Sequence, residues 1–108
     1  AELNILNAES VKSPTLLNSW TNYGGDYDTA GYYKDKDRVF LQGLIKGGTV
    51  GAVAFTLPVG YRPAKRKIFV VNANNTFGRV DVLSNGNVYI DAMCSNSYVS
   101  LENINFRI

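Results

Sequence analysis

The chain has 108 residues, of which 45% are hydrophobic and 19% charged, and its formal net charge is +2. That is enough apolar material for one core and too little chain for two, which excludes a disordered segment or a two-domain architecture. The small positive excess does not mark a nucleic-acid or membrane partner, and Cys94, the single cysteine, excludes an intrachain disulfide framework.

No apolar stretch reaches the length of a membrane span, and the first residues lack the regions of a signal peptide. A start at Ala1 suits a segment of a longer protein, with residues 1–14 as its lead-in. Leu3, Ile5 and Leu6 are the apolar anchors there, before Ser13-Pro14 interrupts any regular element. The domain proper is expected over residues 15–108.

Residues 15–37 carry Trp20, Tyr23, Tyr27, Tyr32 and Tyr33 among Gly24-Gly25, Gly31 and four aspartates, a composition that predicts loops around short strands. Next, Val39, Leu41 and Ile45 alternate with Phe40, Gln42 and Lys46, and Gly47-Gly48 supplies a turn. Residues 49–57 form a second run, apolar on both sides: Val50, Ala52 and Ala54 on one, Val53, Phe55 and Leu57 on the other. Both faces are expected to be buried, in the middle of a sandwich or under a neighbouring subunit.

Pro58, Gly60 and Pro63 bracket Tyr61-Arg62 in a loop that no helix or central strand could cross. The basic run Lys65-Arg66-Lys67 reads as a solvated turn. A third strand spans 67–73, closed by Asn74-Asn75 and Gly78. In the hairpin that follows, a three-residue loop Ser84-Asn85-Gly86 pairs Val82 with Val88 and Val80 with Ile90, and sets Arg79 opposite Asp91. A two-residue Asn-Gly loop would mix charged and apolar residues on both faces, so the longer loop is predicted, with Gly86 left-handed. A last strand over 98–108 turns Ile104, Phe106 and Ile108 inward and Asn105 and Arg107 outward. Short strands separated by Gly, Pro and Asn, without helical periodicity, predict an all-β antiparallel sandwich or jelly roll with minimal helix.

The sequence has no histidine, which removes Ser-His-Asp and Cys-His nucleophilic systems and histidine-bound metals. Asp26, Asp28, Asp35 and Asp37 could serve a glycosidase or a cation, but read better as solvated turns. Gly47-Gly48-Thr49-Val50-Gly51 lies between strands, so it predicts a tight turn or close backbone approach and not a nucleotide site. No catalytic residue, metal or cofactor is expected. The tyrosines and Trp20, with Asn and Asp beside them, are the residue types that stack on sugar rings and bind their hydroxyls; core packing competes for each of them.

Leu16-Leu17-Asn18-Ser19-Trp20, then the run from Val39 through Gly43 and Ile45 to Gly47-Gly48-Thr49, then Leu57-Pro58-Val59-Gly60-Tyr61-Arg62-Pro63 occur in that order. Gly86-Asn87-Val88 and Ser100-Leu101-Glu102-Asn103-Ile104-Asn105-Phe106 close the chain. Together these resemble the C-terminal head domain of tail fibre and receptor-binding proteins from phages of Gram-positive bacteria. The resemblance covers residues 15–108. It implies a homotrimeric β-sandwich head on the remainder of a tail fibre or baseplate, at the tail tip of the virion. Its implied partner is host cell-wall saccharide or teichoic acid, with no nucleic acid and no membrane insertion.

Trp20, Gly60, Tyr61, Arg62 and Pro63 are then expected to be structural. The saccharide contacts are expected outside the motifs, at Tyr23, Tyr27, Tyr32, Asn74, Asn75, Phe77 and Tyr98. Two other readings stay open: a structural trimerisation domain that binds no ligand, and a small carbohydrate-active enzyme with two carboxylates facing one cleft.

Overall fold

The computed structural model describes residues 8–108; Leu3, Ile5 and Leu6 lie outside the described residues. The described residues form ten strands and no helix: β1 (Thr21–Asn22), β2 (Gly31–Asp35), β3 (Arg38–Gln42), β4 (Leu44–Lys46), β5 (Ala52–Thr56), β6 (Lys67–Asn72), β7 (Phe77–Val82), β8 (Asn87–Ile90), β9 (Val99–Ser100) and β10 (Asn105–Arg107). They make three antiparallel sheets, ordered β1-β4-β9, β10-β3-β2 and β5-β8-β7-β6, in a small all-β sandwich.

The alternation over 39–46 buries Val39, Leu41 and Ile45 as the pattern requires. The run does not form one strand, because Gly43 has φ +108 and its absent Cβ would lie 2.5 Å from the Thr29 carbonyl oxygen. The chain bends there, and the two halves join different sheets as β3 and β4. The core between the layers collects Phe55, Val80, Val82, Val88 and Ile90 from the four-stranded sheet against Val39, Leu41, Ile45, Val99 and Phe106. Burying each such side chain contributes about 1.5–3 kcal/mol before the loss of chain entropy.

The run over 49–57 departs from its expected form. β5 is an edge strand of the four-stranded sheet, and its pairing with β8 shifts register between Val53 and Phe55. This bulge buries Ala54 and Phe55 in succession while Ala52 and Val53 stay half-buried and Thr56 is exposed. The two-sided apolar pattern therefore reflects one irregular residue and not two covered faces.

The β7–β8 hairpin has the predicted register, with Val80 opposite Ile90 and Val82 opposite Val88, and Gly86 has φ +93. The Asp91 N–H donates to the Arg79 carbonyl at 3.0 Å. Gly78 does not close the preceding strand but lies inside β7, where a Cβ would approach Cys94 Sγ to 2.6 Å. The turn before it is Ala73 to Thr76, with Asn74 and Asn75 both left-handed (φ 55° and 63°). Asparagine tolerates that conformation better than other side chains, which explains the pair.

The terminal run divides into β9 and β10 around a turn at 101–104, and Ile108 is 40% exposed rather than inward. In the basic run Lys65, Arg66 and Lys67 are all exposed, and Arg66 together with Arg79 clamps Asp81, a carboxylate with no exposed surface. Residues 8–12 lie along the free edge of β2, with Ala8 opposite Asp35 and Lys12 opposite Tyr32. Glu9 accepts from the Lys34 N–H at 3.0 Å and pairs with Lys12 at 3.3 Å. A hydrogen bond from Tyr61 is the largest influence holding its carboxyl low.

Candidate functional site

The motif residues make contacts within the scaffold. Trp20 is 2% exposed and lies on Gly48, where any Cβ would fall inside the indole ring. Its segment is fixed to β5 by Leu17 N–H donating to Ala54 O at 2.7 Å and Asn18 Nδ2 to Val53 O at 2.7 Å. In the Pro-bracketed loop Gly60 has φ +96, Pro63 is buried, and Arg62 Nε donates to Leu57 O at 2.8 Å. Tyr61 meets Tyr32 edge-on at 5.2 Å, beneath Lys34 at 4.5 Å.

A different group of aromatics gathers on the outer face of the β1-β4-β9 sheet. Register explains how. Thr21 opposes Lys46 and Leu44 opposes Ser100, so Tyr23, one residue beyond β1, and Tyr98, two before Ser100, point to the side shared by Leu44 and Lys46. The loop after β1 is pinned at both ends to one residue: Tyr23 N–H donates to Leu44 O at 2.9 Å, and Leu44 N–H to Asp28 O at 3.1 Å. Asn22 Oδ1 accepts the Ala30 N–H at 2.8 Å and closes the loop.

Tyr27 is thereby held edge-on to Tyr23, ring centroids 5.3 Å apart, and Tyr23 edge-on to Tyr98 at 6.2 Å. Tyr23 and Tyr27 remain 40% and 57% exposed. Lys46 Nζ stands 5.1 Å from the Tyr23 ring centroid.

These tyrosines border a hollow of about 360 Å³ whose other walls include Asp28, Asn72 and Glu102. Asn72, Ser100 and Glu102 also line an adjoining hollow of about 460 Å³ that runs past Asn75 to Phe77 and Val70. The two form one groove, with tyrosines at one end and amides and Phe77 at the other. Glu102 uses one oxygen to accept the Gly43 N–H at 2.8 Å, and Asn72 Oδ1 accepts the Asn75 N–H at 2.9 Å.

Of the residues expected to contact a ligand, Tyr23, Tyr27, Tyr98, Asn75 and Phe77 thus border one groove. Asn74 occupies the tip of the adjacent turn and is exposed. Tyr32 lies apart, 9% exposed in β2 and packed on Tyr61. Sequence reasoning missed Asn72, Ser100 and Glu102 in the groove, because Ser100 and Glu102 sit inside a stretch read as scaffold. The pairing of Ser100 with Leu44 is the signal that places them, and it becomes visible only with the register.

The four aspartates do not converge. Asp26 is exposed in the loop after β1 and borders neither hollow, Asp28 faces the groove, Asp35 belongs to β2, and Asp37 pairs with Arg107 at 3.0 Å. Among the described residues no group of three or more acidic or thiol side chains could hold a metal ion.

No protein-family model matches the chain, and no curated protein matches it. Among solved structures it is similar to the receptor binding protein (gp15) of Listeria phage PSA, with a TM-score of 0.73 and 18% sequence identity over 97% of this chain and 68% of that one. This chain has the fold of a phage receptor binding protein.

Proposed function

We propose that the chain is the receptor-binding head of a phage tail, acting without catalysis at the bacterial surface and holding host cell-wall saccharide in the tyrosine groove. The observation that carries this is the convergence of Tyr23, Tyr27 and Tyr98 beside Asn72, Asp28 and Glu102. Aromatic faces take the apolar side of a sugar ring, and amides and carboxylates take its hydroxyls. The likeness in fold to a phage receptor binding protein agrees with the setting.

Residues 15–108 make the head in this reading, 1–14 lead toward the remainder of a tail fibre or baseplate, and the working unit is a homotrimer. Support for assembly comes from the outer face of β6 and β7, where Ile68 and Met93, which border neither hollow, are 61% and 60% exposed, and Val70 and Phe77 continue the apolar surface to the end of the groove. A contiguous apolar surface of that kind is uncommon on a monomer. Three weak sites would hold a repeating polymer through effective concentration.

The test is binding of the labelled protein to host cell walls. Tyr23→Ala and Tyr98→Ala should each lower adsorption about tenfold or more, a loss of about 1.4 kcal/mol. Unchanged adsorption in both variants would instead favour a structural trimerisation domain, for which the apolar face alone speaks. Asp28 and Glu102 share one hollow, so release of reducing ends from the wall polymer, abolished by Asp28→Asn, would favour an enzyme.

A further inference from the structure

We infer that the groove selects an uncharged, hydroxyl-rich sugar ring and turns away the phosphate groups of a wall polymer. This rests on reading the tyrosine groove as the glycan site.

The inference comes from which charges line the groove. Among the residues bordering either hollow the only ionisable side chains besides the tyrosines are Asp28 and Glu102, both acidic, with no lysine or arginine in either wall. The nearby cation, Lys46, is stationed over the Tyr23 ring. The basic side chains gather elsewhere: Arg66 and Arg79 on Asp81, and Arg38, Lys67 and Arg107 around a separate hollow between β6 and β10. A domain of net charge +2 therefore presents a locally negative binding surface.

Ionised carboxylates only accept hydrogen bonds, so a ligand must bring donors to meet them. A sugar ring brings several hydroxyl donors. A phosphodiester brings only acceptors and a negative charge, and at about 5 Å in water-like dielectric each carboxylate disfavours it several-fold, on the order of tenfold for the pair. The tyrosine faces add attraction for the apolar side of a ring and none for a polyol phosphate chain.

The test is an array of neutral hexose and N-acetylhexosamine glycans printed beside polyglycerol phosphate and probed with the intact chain at low and high salt. The expected result is binding to a neutral glycan that changes less than about twofold with salt, as a contact with an uncharged ligand should. Tyr23→Ala abolishes it, and the Asp28→Asn, Glu102→Gln double variant weakens it about tenfold while easing the exclusion of polyglycerol phosphate by up to about tenfold. Binding of the parent protein to polyglycerol phosphate that Tyr23→Ala removes overturns the inference and leaves the groove as the receptor site. Wall adsorption unaffected by Tyr23→Ala, with no glycan retained, overturns the groove reading and this inference together. Asp28 and Glu102 are exposed, so both variants should fold, and circular dichroism checks it.

Discussion

Asp81 points to the outer face of the four-stranded sheet, yet it has no solvent exposure, because Arg66 and Arg79 lie over it with contacts of 2.7 and 2.8 Å. The hydrogen bond from Arg79 is the largest influence on its carboxyl and holds it below the usual range; burial pulls the other way, and Arg66 lowers it further. A depressed folded-state pKa means that this contribution to stability is complete above the unfolded carboxylate's pKa, near 4, and is lost as the pH falls through the folded value. Asp81→Asn should cost about 1–3 kcal/mol at neutral pH, at the modest end because both arginines can return to water. The gap from the parent protein should close below about pH 4, and urea unfolding across pH 2–7 measures both. Gly48 makes the opposite kind of demand. Nothing can be added where the Trp20 ring lies, so Gly48→Ala should destabilise by about 3 kcal/mol or lose the folded state, read as a fall in melting temperature.

Elements were legible where their cause is local. The β7–β8 hairpin follows from Ser84-Asn85-Gly86 and the valines on either side, because only one loop length keeps Val80, Val82, Val88 and Ile90 on one face. The bulge at Ala54 and the break at Gly43 were not legible in the same way. Each is set by what the chain meets across the fold: the Leu17 and Asn18 bonds on β5, and the Thr29 carbonyl against Gly43. The groove shares this limit. Tyr23 and Tyr98 meet because β4 pairs with β1 on one side and β9 on the other, which neither local sequence encodes. Hairpin and Pro-bracketed loop are also interlocked, since a Cβ on Gly86 would meet the Leu57 carbonyl oxygen and lie 2.6 Å from Arg62 Nε, while its φ of +93° already strains any other residue. Gly86→Ala should therefore cost about 2 kcal/mol or more, beyond the strain of the turn alone. Arg62→Ala in the same background should recover part of that loss, a coupling a double-mutant cycle would detect.

At the scale of the whole molecule, the proposed functions of the two surfaces can be separated by mutation. Ile68 and Met93 belong to the exposed apolar face of β6 and β7 and border neither part of the tyrosine groove. If copies of the chain cover that face, Ile68→Lys with Met93→Lys should place repelling charges within the contact and leave a folded monomer, seen by light scattering with an unchanged circular dichroism spectrum. Such a monomer keeps its groove. Its affinity for a single short glycan should match the parent protein's, while adsorption to intact walls falls about 10²-fold or more, the part that tethering of several sites supplies. Tyr23→Ala should give the converse, an intact assembly that neither a short glycan nor a wall retains. A double lysine variant that remains trimeric would move the subunit contact to another face, and one that is monomeric yet adsorbs undiminished would show that a single groove suffices.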